Sequence, residues 1–238
     1  VKGLNEHTPH LDYVGVNTYG GVFSLRPHLE KVGWTRPWLL TEWGPSGFWE
    51  RPKTSSGAPI EQTSTEKARM MSRAYDEAIS KGGACLGSYA FVWGWKFEAS
   101  ATWFGLLTDD GLTTEPVDVL QEKWSGKPPL NRAPTIQPLK GVPTQAIAPE
   151  SPIRVETSAT DPEGDPLSWK WALLPEKPHA VEGKPIAMPK PIQGVVVTPL
   201  DSAAEFKAPA KPGSYRLYLW VRDGKGHAAT ATAPLEVR

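Results

Sequence analysis

Cysteine is nearly missing from this sequence: Cys85 stands alone among 238 residues. One thiol cannot form an internal disulfide, and its place in the apolar run Ala84–Trp93 reads as that of a small buried hydrophobe. Long hydrophobic runs are also missing. No stretch approaches the ~18 apolar residues of a membrane-spanning helix. The amino-terminal Val-Lys-Gly-Leu-Asn-Glu lacks the apolar core of a signal peptide and an initiator Met, so the expectation is an interior stretch of a longer protein, itself secreted or periplasmic. An excess of either charge is absent too, with 26 basic against 26 acidic residues. No global field would draw the chain to nucleic acid or an anionic membrane. His7, His10 and His28 lack the spacing of a metal-binding helix, and neither a metal nor another cofactor is expected.

Tryptophan is abundant, with 11 residues. Trp34, Trp38, Trp43, Trp49, Trp93, Trp95 and Trp103 all lie in the first half, near the ends of expected strands. Flat aromatic faces suit sugar rings, although large core residues account for about half of them. A neutral glycan partner fits both the charge balance and the aromatics.

The first half alternates strand and helix. Short apolar runs at 12–17, 38–42 and 84–93 read as buried parallel strands whose carboxyl ends turn polar. Between them, 23–32 reads as a helix stopped by Gly33. A second helix follows the capping box Thr63-Ser-Thr-Glu66, with Gly82-Gly83 as its stop, and 114–124 is the last. Alternating strands and helices imply βαβ units, hence an α/β part with a parallel sheet. A proline-rich segment, 127–152, reads as an extended linker. Beyond it the period changes to two, at 153–157, 167–171, 215–221 and 229–237. That predicts an all-β, Ig-like sandwich over 153–238. The acidic turn Asp161-Pro-Glu163-Gly-Asp165, with Asp223, offers oxygen ligands of the kind Ca2+ takes. Ordinary turn chemistry explains it equally well.

In parallel α/β folds the chemistry sits at the carboxyl ends of strands. Three such ends are Asn17-Thr-Tyr19-Gly-Gly, Thr41-Glu42-Trp43-Gly44 and Trp93-Gly-Trp95-Lys96. A carboxylate between tryptophans, with a tyrosine hydroxyl from the preceding strand, is suited to attack or stabilise an oxocarbenium-like centre. Lys96 and Glu98 read as a surface ion pair.

These three segments, in this order and with Gly-Leu-Leu-Thr-Asp-Asp-Gly after them, resemble strands six to eight of clan A glycoside hydrolases. The likeness is greatest to the family 2 barrel and the β-1,3-glucanosyltransferases, and covers about residues 4–126. It implies the carboxy-terminal part of a (β/α)8 barrel, 1–126. It also implies a retaining double displacement on β-linked glycans, with Glu42 as nucleophile, Tyr19 as its orienting partner and Trp93 as the floor of the first sugar subsite. Trp43, Trp95 and Asn17 are the further substrate-binding candidates. Beyond the linker the resemblance is to generic cadherin-, Ig- or PKD-like modules.

One part of the pattern is missing. Retaining enzymes need a second carboxyl about 5–5.5 Å from the first, carried in clan A after an Asn on strand four. Asn5-Glu6 offers the dipeptide, but only five residues separate Glu6 from Asp12, and a parallel crossover takes a dozen or more. Asn5-Glu6 therefore belongs to the end of a helix, and the acid/base is expected upstream. A barrel takes about 250 residues, so this part would need its missing half or self-association, and alone would show at most trace activity. Hydrolysis and transglycosylation remain alternatives, as does a non-catalytic carbohydrate-binding or adhesion protein with a degenerate barrel.

Overall fold

The computed structural model describes residues 2–81, 84–176, 187–193, 195 and 197–238. After a short helix α1 (Lys2–His7), the order is β1 (Val14–Asn17), α2 (Val22–Lys31), β2 (Trp38–Trp43), α3 (Ser64–Ala74), β3 (Cys85–Ala90) and α4 (Glu115–Ser125). The three strands form one parallel sheet with β2 in the middle. Asn5 and Glu6 lie within α1, as their closeness to β1 required.

Several helix ends have a local cause. Gly33 takes φ +79° just past α2. Thr63 accepts from Glu66 N while its own N–H donates to Glu66 Oε2, closing the capping box of α3. A π-helical turn, Tyr75–Ile79, extends α3; the Gly82-Gly83 stop lies outside the described residues. Gly126, in the left-handed conformation, ends α4. The helices bury Val22, Leu25, Leu29, Met71, Ala74, Ile79 and Leu120 against Trp38, Leu40 and Trp43 of β2.

The remainder is β-structure: β4 (Thr135–Ile136), β5 (Pro152–Glu156), β6 (Ala159–Thr160), β7 (Ser168–Pro175), β8 (Thr198–Leu200), β9 (Ala203–Lys207), β10 (Gly213–Arg222) and β11 (Ala228–Val237). Antiparallel sheets β11-β10-β7 and β5-β9-β8 enclose Ile153, Val155, Phe206, Leu217 and Leu235, the expected sandwich. Asp161, Asp165 and Asp223 do come together, with ligand atoms within 4.8 Å. Turn N–H groups already donate to one oxygen each of Asp161 and Asp223.

Two features depart from the sequence reading. The proline-rich segment is extended but docked: Ala133 N donates to Asp118 Oδ2 (2.6 Å) and Ile136 N to Thr65 Oγ1 (2.9 Å). Strand β10 is buried on both faces rather than one, from Tyr215 to Val221. Its aliphatic face fills the sandwich, while Tyr218 and Trp220 pack on Phe97 and Ala101 from the loop after β3. The sandwich is thereby a wall for the first part of the chain.

That seam is polar at its centre. Glu61, buried, accepts from Lys67 Nζ (2.6 Å), Ser100 Oγ (2.5 Å), Thr102 Oγ1 (2.8 Å) and Thr232 Oγ1 (3.1 Å). Burial opposes its ionisation, but Lys67, Arg216 and these donors outweigh that and hold the carboxyl below the usual glutamate range. Arg216, also buried, bonds Glu176 through two nitrogens (2.8 and 2.7 Å) and donates to Pro59 O (2.9 Å). Removing one partner of such a pair strands a buried charge. Lys67→Met should therefore cost about 3 kcal/mol, and Glu61→Leu combined with Lys67→Met should recover most of that. Thermal or denaturant unfolding of the single and double variants measures the difference.

Candidate functional site

The carboxyl end of the parallel sheet is built around an extra residue in β2. Val16 pairs with Leu40 and the next residue, Asn17, with Glu42, so Thr41 is passed over. On the other side Leu40 pairs with Ser88 and Trp43 with Ala90, three residues of β2 against two of β3. Under strict alternation Glu42 would follow Trp38 and Leu40 into the helix-facing core. The bulge re-phases the strand. Trp43 takes that core position, fully buried, and Glu42 emerges half-buried on the other side.

There Tyr19 Oη donates to Glu42 Oε2 at 3.1 Å. Thr18 N donates to Glu42 O (3.0 Å), fixing the end of β1 against the end of β2. Burial and the charge of Glu42, with smaller contributions from Glu98 and Glu50, push the Tyr19 phenol far above its ordinary pKa. It stays protonated and donates to the carboxylate. Its ring is clamped by aromatic edges, with centroids at 5.4 Å for Trp49, 6.0 Å for Phe91 and 5.1 Å for Phe104.

A second carboxylate organises the loops. Glu50 accepts from Gly20 N (2.7 Å), Gly21 N (3.1 Å) and Gly47 N (2.7 Å), tying the loop after β1 to the loop after β2. A Cβ at Gly20 would stand 2.8 Å from Glu50 Oε2, so a larger residue there would push the carboxylate off the Gly20 N–H. The loop after β3 brings Lys96, whose Nζ lies 5.4 Å from the Phe91 ring and 2.7 Å from Glu98 Oε2.

Of the residues singled out from sequence, Tyr19 and Glu42 are brought together. Asn17 is exposed beside them and accepts from Thr41 Oγ1 (2.6 Å). Trp93 is exposed, 60%, but its ring partner is Trp124, at 6.3 Å, while Phe91 is the β3-side aromatic that meets Tyr19. Two expectations are corrected. Trp43 cannot form a sugar platform, because the bulge turns it into the core. Trp95 packs against the sandwich seam and donates to Ala101 O (2.7 Å), so it serves the interface. Trp49, one of the tryptophans noted in the sequence but not a site candidate there, is 53% exposed beside Tyr19. Reasoning from the sequence missed Glu50; the only signal was the Gly-Gly pair after β1, which implies a close neighbour.

Gly20→Ala and Glu50→Ala should each lower stability by about 1–2 kcal/mol. Because both break one contact, the double variant should fall well short of their sum; denaturant unfolding of all three variants checks this.

No family model and no curated protein matches the sequence. Among solved structures the likenesses are distant. One is a nucleoside hydrolase-related protein from Saccharophagus degradans associated with carbohydrate metabolism, 18% identical over 45% of this chain and 26% of that one, with a TM-score of 0.33. Another is a β-glucuronidase from Bacteroides uniformis, 12% identical over 100% of this chain and 27% of that one, TM-score 0.35. A third is the PKD domain of an M14-like peptidase from a Thermoplasmatales archaeon, 13% identical over 44% of this chain and 92% of that one, TM-score 0.26. The chain thus spans about a quarter of the first two proteins. No helix among the described residues is long and apolar enough to cross a membrane. Two of these three distant neighbours are carbohydrate-related by description, and the chemistry rests on the site itself.

Proposed function

We propose that this chain carries the nucleophile side of a retaining glycosidase or transglycosylase acting on β-linked poly- or oligosaccharides. In this reading the parallel sheet and its helices, 1–126, are the last strand–helix units of a (β/α)8 barrel. The rest of the barrel and the acid/base lie upstream, in a secreted or periplasmic protein. The observation that carries the proposal is the 3.1 Å hydrogen bond from Tyr19 to Glu42 at the carboxyl end of the middle strand.

The chemistry follows from that pair. A Glu42 oxygen attacks the anomeric carbon as the bond to the leaving oxygen breaks, and the upstream acid gives that oxygen its proton. Tyr19, locked as a phenol, holds the other position of the carboxylate and leaves one lone pair aimed at the sugar. Water or a second sugar hydroxyl, giving its proton to the same upstream carboxyl, then attacks the anomeric carbon and displaces Glu42, completing hydrolysis or transfer. The exposed indoles of Trp49 and Trp93 offer flat surfaces to sugar rings.

A 2-deoxy-2-fluoro glycosyl label on the full-length protein, mapped by peptide mass spectrometry, should reside on Glu42; labelling elsewhere removes the assignment. Tyr19→Phe should lower kcat by about 10- to 100-fold, the worth of one hydrogen bond to a charged group. The isolated chain should hydrolyse an aryl β-glycoside only at trace rates.

A further inference from the structure

Tyr19 is gripped by the loop after β2 through both its ring and its backbone. The ring meets the Trp49 indole edge-on at 5.4 Å, and that indole lies against Gly47 so closely that a Cβ there would collide with it. The backbone is held just beyond the side chain. Gly20 N and Gly21 N, the two amides after Tyr19, donate to different oxygens of Glu50, Oε2 at 2.7 Å and Oε1 at 3.1 Å. Gly47 N donates to Oε2 as well, at 2.7 Å, and Glu50 N donates to Gly47 O at 2.9 Å. The 47–50 turn is therefore closed on itself, and Trp103 Nε1 braces its start by donating to Ser46 O at 2.9 Å.

Part of this is helix capping. Gly21 is the N-cap of α2 and has no side chain to serve the helix, so a carboxylate from another loop takes that place, where negative charge is favoured. Capping does not explain the bond to Gly47 N, which lies outside α2, nor why an exposed glutamate gives up its rotamer freedom to bind both loops at once. The position of Tyr19 between two anchors does. On one side of it Thr18 N donates to Glu42 O at 3.0 Å; on the other, Gly20 and Gly21 are tied to Glu50. With the first anchor alone the tyrosine could pivot about Thr18. With both, the phenol is held over the strand end that carries its acceptor, Glu42 Oε2, at 3.1 Å.

We propose that Glu50 is a positioning residue for the nucleophile: by clamping Gly20 and Gly21 to the loop after β2 it fixes the Tyr19 hydroxyl on Glu42, and it acts on the reaction through Tyr19 alone. The inference rests on the glycosidase reading of the same site. Glu50 touches neither the sugar nor the reacting oxygen. Its effect is geometric, because an attacking carboxylate that swings away from the anomeric carbon loses rate steeply with distance.

The test uses the full-length protein and whichever of 4-nitrophenyl β-glucoside, β-galactoside and β-mannoside it hydrolyses fastest. Rates are taken per active site, titrated with the matching 2,4-dinitrophenyl 2-deoxy-2-fluoro glycoside, so that an unfolded fraction does not register as a slow enzyme. Glutamine keeps the length of the side chain but turns one acceptor oxygen into a donor that faces N–H groups. Glu50→Gln should lower kcat about tenfold with KM within about threefold. In a Tyr19→Phe background the same change should cost less than about twofold, because the hydroxyl it positions is already gone. Gly20→Ala, which keeps Glu50 but displaces its carboxylate, should reproduce both results and carries the test if the glutamine variant does not fold. A kcat within about threefold of the parent in both single variants, a loss confined to KM, or a further loss above about twofold in the Tyr19→Phe background overturns the proposal and leaves Glu50 as a cap of α2. Glu42→Gln separates the two readings. If it retains full activity the glycosidase assignment fails, and if it is inactive while any of those three results is found, only the role of Glu50 fails.

Discussion

An ion buried between two layers of a protein has to be satisfied by whatever surrounds it, and Glu61 is such an ion. Its partners come from α3, from the loop after β3 and from β11. None of these segments could satisfy it alone, and a partial set would leave a charge uncompensated in an apolar seam. The cluster therefore fixes how the parallel sheet meets the sandwich more than it adds net stability. Arg216 repeats the logic one step away, reaching from β10 to Glu176 and to Pro59 O. Through Ser100 and Thr102 the same charges set the loop that carries Glu98, so the geometry of the site is partly decided in the sandwich.

Much of this was legible in the sequence, for reasons that differ by element. The capping box of α3 is a local device, and Thr63 and Glu66 announce it without tertiary context. The period-two strands and apolar runs report burial directly. Strand β10 was only half legible. Tyr215-Arg-Leu-Tyr-Leu-Trp-Val alternates aliphatic with large amphipathic residues, and what covers the second face depends on segments more than a hundred residues earlier.

The bulge in β2 marks the limit more sharply. Trp-Leu-Leu-Thr-Glu-Trp gives no sign of an extra residue, because a bulge is read from pairing with neighbours rather than from composition. Yet that residue exchanges the fates of Glu42 and Trp43. The expected meeting of Tyr19 and Glu42 is present, while the assumption that the tryptophan neighbour shares the cleft failed, since adjacent residues in a strand point to opposite sides. Trp93 and Trp95 show the same limit: two indoles one residue apart end in different places, one facing solvent and one in the interface. Tryptophan supplies area to either, and only its neighbours decide which.

The electrostatics of the site divide its labour. Burial and nearby carboxylates hold the Tyr19 phenol protonated, so Tyr19 can position an acid but cannot exchange protons with a substrate at ordinary pH. Glu50 is spent on three backbone N–H groups. Glu42, if it bonds to carbon, is unavailable to the leaving oxygen in the same step. On the proposed reading Glu42 is the nucleophile and Tyr19 orients it, both at strand ends, and a separate proton donor has to serve the leaving oxygen. A double displacement with a separate acid/base is the scheme in which each of these groups has a task and none has two at once.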